Sequence, residues 1–145
     1  MEYEIRKARS ADFNAVHKLI KEFAVFIKTP EKVSITLKQM EADKEVFNCL
    51  IAISEGEVIG FASFFYAYYS WSGKAIYLDD LYVRPDYRGE GIGNAMFEEV
   101  KALGVDKGCY KMKWQVSKWN DNAQEFYRSK GAVIEDTEIN CELKL

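Results

Sequence analysis

The spacing of apolar positions switches repeatedly between strand and helix periods along the chain. Residues 2–8 set Tyr3 and Ile5 among charges, which predicts a short edge strand. Ser10 offers a helix N-cap and Asp12 a first-turn carboxylate. Phe13, Val16, Leu19, Ile20 and Phe23 follow at helical spacing, and Pro30 ends that helix. A second helix is expected over about residues 34–43, with Ile35, Leu37 and Met40 as its apolar positions. From residue 46 the texture becomes β-prone. Runs over 46–53, 58–69 and 75–83 are separated by Ser54-Glu55-Gly56-Glu57 and Trp71-Ser72-Gly73-Lys74. That pattern predicts an antiparallel meander. Residues 84–91 read as a loop. Helical spacing returns over 92–107 through Met96, Val100 and Leu103, and Gly108 closes it. Alternation of Tyr110, Met112, Trp114 and Val116 predicts a strand over 110–116. A short helix over 123–130 is capped by Asn120 or Asp121 and closed by Gly131. Two further short strands are expected near Val133 and over 138–143.

The order of these elements describes a mixed α/β domain around one sheet. A length of 145 residues fits a single domain, 1–145. The composition changes this picture little. Hydrophobic residues make up 48% and charged residues 30%, as in ordinary globular chains. A net charge of -3 predicts no affinity for a phosphate backbone, so nucleic acid is not an expected partner. Cys49, Cys109 and Cys141 are odd in number and widely spaced, so neither a disulfide framework nor a metal site is expected. No run is apolar enough for a membrane span, and the first residues lack the apolar core of a signal peptide. A cytoplasmic location and no membrane partner are the expectations. His17 is the only histidine and has no nucleophile motif beside it, which argues against Ser-His and Cys-His hydrolase chemistry.

The strongest chemical signal is Arg88-Gly89-Glu90-Gly91-Ile92-Gly93, between a strand and a helix. Glycines let the backbone approach an anion, and unsatisfied N–H groups at a helix start can cradle phosphate oxygens. Arg88 adds a forked, charged donor. The alternative is a glycine-rich turn with no ligand. The Gly-Lys-Ser/Thr ending of a Walker A loop is absent. The third glycine comes one residue early for a Rossmann fingerprint, and the strands before it read as antiparallel.

The R-x-x-G-x-G arrangement resembles the acetyl-CoA pyrophosphate loop of the GNAT superfamily of N-acetyltransferases. The resemblance extends to Tyr77-Leu78-Asp79-Asp80-Leu81-Tyr82-Val83, to Asp86-Tyr87-Arg88-Gly89, and to Trp119-Asn120 with Glu125-Phe126-Tyr127 and Lys130-Gly131-Ala132. Within the superfamily these residues are most similar to the diamine (spermidine/spermine) and thialysine acetyltransferases. The resemblance implies a GNAT fold, a mostly antiparallel central sheet of six to seven strands with about four helices. It also implies acetyl-CoA as co-substrate, no metal, and a homodimer.

The site residues follow from the same resemblance. Leu81, Tyr82 and Val83 would pair with the pantetheine arm. Arg88, Gly89, Glu90, Gly91, Ile92, Gly93 and Asn94 would wrap the pyrophosphate, and Asn120 and Lys130 would complete the cofactor contacts. Tyr127 matches the family's general acid for the departing sulfur, although by pattern alone Phe126-Tyr127 reads as a pair of core aromatics. Asp79 matches the acidic residue that deprotonates or positions the amine. A solvated strand end is the other reading of Asp79-Asp80. On a regular strand Asp80 faces the opposite side, and a bulge would change that assignment. Phe26, Trp71, Asp79 and Gln115 are the expected acceptor contacts.

The expected reaction is direct acetyl transfer to a primary amine of a small molecule, either diamine-like or an amino-acid side chain. Two alternatives stay open in the sequence: a non-catalytic CoA-binding module, and acetylation of a protein N-terminus or lysine. Ile27 and Tyr69-Ser70-Trp71 stand where the diamine branch carries acidic residues, and that branch's Glu-Gly-Trp stretch is missing after Gly131. These departures point toward a smaller or less charged amine.

Overall fold

In the computed structural model, which describes all residues from Met1 to Leu145, the β-prone runs form one five-stranded sheet. Its strands are β1 (Glu4–Lys7), β2 (Asn48–Ser54), β3 (Glu57–Tyr69), β4 (Gly73–Val83) and β5 (Lys111–Trp114), and they lie in sequence order across the sheet. The first four are antiparallel, and β5 joins β4 in parallel. Four α-helices accompany them: α1 (Phe13–Phe26), α2 (Leu37–Ala42), α3 (Ile92–Asp106) and α4 (Asp121–Ser129). The chain divides into two compact units, Met1–Trp114 and Gln115–Leu145.

In the first unit both faces of the sheet are covered. On one face Phe13, Val16 and Leu19 of α1 pack with Met40 of α2 and with Cys49, Ile51, Phe61 and Tyr82 of the strands. On the other face α3 buries Ile92, Met96, Phe97 and Val100. The apolar spacing read from the sequence supplies both contact stripes. Gly104 lets α3 approach closely, because a Cβ there would lie 2.6 Å from Cγ2 of Ile76 on β4. His17 is held structurally, with Nε2 2.9 Å from the carbonyl of Ile35.

The element order agrees with the sequence pattern up to residue 130, with local corrections. Ser10 does not cap α1. It lies in a 3-10 turn, Ser10–Asp12, and its hydroxyl donates to Glu41 at 3.1 Å. Asp12 instead accepts from Arg6 at 2.7 Å and from the backbone of Arg9 at 2.7 Å. The second helix is shorter than residues 34–43, because Thr36 and Gln39 form a capping box that starts it at Leu37. The count of six to seven strands is corrected to five. Residues 131–145 contain no strand. Val133, Ile139 and Leu143 are exposed there among Glu135, Asp136, Glu138, Glu142 and Lys144. Alternation makes a strand only when a neighbouring strand accepts its ladder. The fifth strand is also shorter than residues 110–116, and its pairing with β4 covers only Ala75 to Leu78.

Candidate active site

The middle of β4 carries two irregularities at the same place. Asp80 lies opposite Ser63 on β3, but Leu78 lies opposite Phe64, so Asp79 has no partner and forms a bulge. Pairing to β5 ends at Leu78, the residue just before it. From Asp79 to Val83 no strand therefore covers the far side of β4. The hydrogen bonds show which groups face that open side. The N–H of Asp80 donates to Oγ of Ser63 at 3.2 Å, and the N–H of Arg84 donates to the carbonyl of Ile59 at 2.9 Å, so both point toward β3. Main-chain groups alternate along a strand. Those of Tyr82 then also face β3, while those of Leu81 and Val83 face the open side. The carbonyl of Val83 confirms the alternation by accepting from Nε of Arg88 at 2.9 Å.

The two carboxylates at the bulge both hold their protons more tightly than ordinary ones. Asp80 is half-buried, and loss of water, with the charge of Asp79 second, pushes its carboxyl up to about 7. Asp79 is raised for the first of these reasons. Asp79 is the more exposed of the two. Ser63, a buried hydroxyl in the apolar middle of β3, is the partner that sequence reasoning missed. Its one visible signal is a lone serine inside the run from Val58 to Tyr69.

Beyond Val83 the chain turns through Pro85–Tyr87 into the glycine loop. Gly89 and Gly91 adopt φ of +85° and +79°, and a Cβ on either would project into open space. Gly91 caps α3 with main chain alone, so the cap residue itself lends no side-chain oxygen to the first turn of the helix. Ile92, buried beneath, anchors the turn to the core. A left-handed loop with clear space above it and an uncapped helix start fits a diphosphate. Arg88 flanks it, with its guanidinium carbon 4.7 Å from the ring centre of Phe26 and 5.6 Å from that of Tyr82. Phe23 stacks on Tyr82 at 5.3 Å, and Glu22 pairs with Arg84 at 3.2 Å.

Within the first unit the expected residues Asp79, Leu81, Tyr82, Val83 and Arg88 to Asn94 thus form one continuous stretch, with Phe26 beside it. Trp71 is not brought to it. It stands fully exposed at the β3–β4 turn, at the opposite end of β4 from Val83, and lines a shallow hollow of about 220 Å³ with Tyr69, Ser70, Ser72 and Lys111. A larger hollow of about 740 Å³ beside α1 and α2 contains none of the expected residues.

The second unit holds Gln115, Asn120, Tyr127 and Lys130. The side-chain oxygen of Asn120 accepts from the N–H of Ala123 at 3.2 Å and caps α4. The amide of Gln115 donates to Asn140 at 2.8 Å. Tyr127 lies on α4 with its ring 5.3 Å from that of Phe126, and Lys130 ends the helix. All three cysteines are free, and burial pushes the Cys49 thiol up to about 12, unlike an activated nucleophile. No cluster of His, Cys, Asp or Glu is arranged to hold a metal ion, and no helix is long and apolar enough to cross a membrane.

Comparison with known proteins agrees with this geometry. A model of the Acetyltransferase (GNAT) family matches residues 13–132. The chain is 34% identical over 140 residues to a thialysine N-epsilon-acetyltransferase of Bos taurus, covering 88% of this chain and 82% of that protein. It is 32% identical over 142 residues to the spermidine/spermine N(1)-acetyltransferase-like protein 1 of Homo sapiens, covering 90% of this chain and 20% of that much longer protein. Among solved structures, an aminoglycoside N-acetyltransferase in complex with CoA superposes with a TM-score of 0.80 at 21% identity, covering 99% of this chain and 96% of that one. A bulged, half-open β4 running into a left-handed glycine loop, with a family match over most of the chain, gives the assignment: the chain belongs to the GNAT family and is an N-acetyltransferase.

Proposed function

We propose that the protein transfers an acetyl group from acetyl-CoA directly to a primary amine of a small molecule. The observation that carries this reading is the continuity of the open side of β4 with the Arg88–Gly93 loop. Leu81 and Val83 offer main-chain partners to an extended amide-bearing arm, and the loop receives the diphosphate at its end. In this reading the chain is a single N-acetyltransferase domain, 1–145. The amine nitrogen attacks the thioester carbon, so a C–N bond forms as the C–S bond breaks. The nitrogen loses its proton to the Asp79–Asp80 pair, directly or through water. The sulfur takes a proton from the hydroxyl of Tyr127. Asn120 and Lys130 contribute further contacts to the cofactor, and Asp79 and Gln115 to the acceptor.

The raised carboxyl of Asp80 supports the amine half. An alkyl ammonium gives up its proton near pH 10 in water, and a carboxylate whose proton affinity lies near neutrality is a better acceptor than an ordinary one. The relatives named for thialysine and for spermidine/spermine support an acceptor that is an amino-acid side chain or a polyamine. Absence of acidic residues at Ile27 and Tyr69-Ser70 favours the less cationic of these. A cytoplasmic homodimer completes the proposal.

Thiol release from acetyl-CoA across a panel of lysine-like amino acids, diamines, polyamines and a lysine peptide tests it. Turnover is expected with a small amine, and Tyr127→Phe is expected to lower kcat about 100-fold with little change in acetyl-CoA affinity. Release with the peptide alone would contradict the small-molecule acceptor. Undiminished kcat in Tyr127→Phe would remove the general-acid role.

A further inference from the structure

Three residues on the last two turns of α1 grip the cofactor end of β4. Glu22, Phe23 and Phe26 share one helix face by their spacing. Glu22 meets Arg84 at 3.2 Å, Phe23 stacks on Tyr82 at 5.3 Å, and the Phe26 ring lies 4.7 Å from the guanidinium carbon of Arg88. Arg88 is therefore fixed from three directions, since Tyr82 lies 5.6 Å away and Nε is spent on the carbonyl of Val83. A guanidinium held by Nε and by an aromatic face keeps its two terminal nitrogens as a preset fork. Arg88 makes no ion pair with any carboxylate of the chain, so that fork has no internal anion to satisfy it.

We propose that Phe26 is a positioning residue for the cofactor rather than an acceptor contact: its ring holds Arg88 so that the terminal nitrogens meet the pyrophosphate of acetyl-CoA. This rests on the acetyl-CoA reading above. Phe26 is half-exposed at the end of α1, so its packing alone contributes little to the core. Its worth lies in fixing a long, flexible cation before the ligand arrives. The same helix end gives the fold a direct link from α1 to the loop, through side chains that a binding anion would draw on.

The test compares Phe26→Leu, which keeps apolar bulk without a π face, with Phe26→Tyr, which keeps the face. Phe26→Leu is expected to raise the KM and Kd for acetyl-CoA about three- to fivefold, with the change in KM exceeding that in kcat and the amine KM moving less than about twofold. Phe26→Tyr restores the wild-type value. In an Arg88→Gln background Phe26→Leu has no further effect, because the partner it positions is gone. Equal effects of Leu and Tyr, a change confined to the amine KM, or additive effects in the double variant overturn the proposal. Failure of the underlying reading looks different, since wild-type protein itself then shows no saturable binding of acetyl-CoA. Melting temperatures recorded alongside separate any loss of fold from loss of positioning.

Discussion

The two halves of β4 have the same strand geometry and opposite uses. From Ala75 to Leu78 the strand is paired on both sides, to β3 and to β5, and Ala75, Ile76 and Leu78 are buried. From Asp79 to Val83 it is paired on one side only, begins with a bulge, and carries two carboxylates with raised proton affinity. The first half satisfies its backbone internally and contributes to stability. The second leaves the main-chain groups of Leu81 and the N–H of Val83 for a ligand to complete. One residue of extra chain at Asp79, coinciding with the end of β5, separates a doubly paired half from the half proposed to take the ligand. On the proposed reading, function in this sheet lies where the ladder stops, not where the sequence becomes polar.

This contrast breaks if substitutions in the two halves have the same effects. Gly91→Asp, at the loop that continues the open half, is expected to raise the KM for acetyl-CoA by about tenfold or more, because a carboxylate would face the diphosphate. Asp tolerates a φ of +79° better than most residues, yet any side chain is strained there, so the melting temperature is expected to fall by a few degrees as well. Gly104→Ala, against the doubly paired half, is expected to lower stability alone. Its Cβ meets Ile76 at 2.6 Å, which costs about 1–3 kcal/mol, set partly against a gain of about 1 kcal/mol in helix propensity. The melting temperature falls by a few degrees with an unchanged KM for acetyl-CoA. Steady-state kinetics and calorimetry on the two variants decide the matter. A KM effect from Gly104→Ala equal to that of Gly91→Asp would erase the distinction.

Asp80→Asn sharpens the contrast with a smaller effect. The folded carboxyl binds its proton more tightly than the unfolded one, so the fold is favoured while Asp80 is protonated. That contribution is fully present below about pH 4 and is lost as pH rises through about 7. Asp80→Asn removes the penalty. It is expected to raise the melting temperature at pH 8 by a few degrees, and not at pH 4. Partial exposure of the group keeps the shift modest. A shift of equal size at both pH values would show that burial of Asp80 does not hold its charge in check.

Much of the first unit is legible in the sequence. The meander announces itself because β2, β3 and β4 are long apolar, β-prone runs and the turns between them carry Gly56 and Gly73. The glycine loop is legible because Arg88, Gly89, Gly91 and Gly93 punctuate a strand-to-helix junction. The bulge at Asp79 is not, since two adjacent aspartates look alike until Ser63 and Phe64 set their register from another strand. The Phe26–Arg88 contact is equally hidden, because it joins residues 62 positions apart. The Thr36–Gln39 capping box was visible in the sequence and marks the start of α2 better than apolar spacing does. Strands expected after Gly131 fail for a different reason. Ile139, Cys141 and Leu143 alternate, but alternation is a local property and a strand partner is not.

Site-resolved amide hydrogen exchange, with and without acetyl-CoA, tests the central claim most directly. Ligand is expected to slow exchange at Leu81, Val83, Ile92 and Gly93, and to leave Ile76 and Leu78 in the doubly paired half unchanged. Unchanged exchange at Leu81 and Val83 with saturating acetyl-CoA, or equal slowing in both halves of β4, would contradict the account.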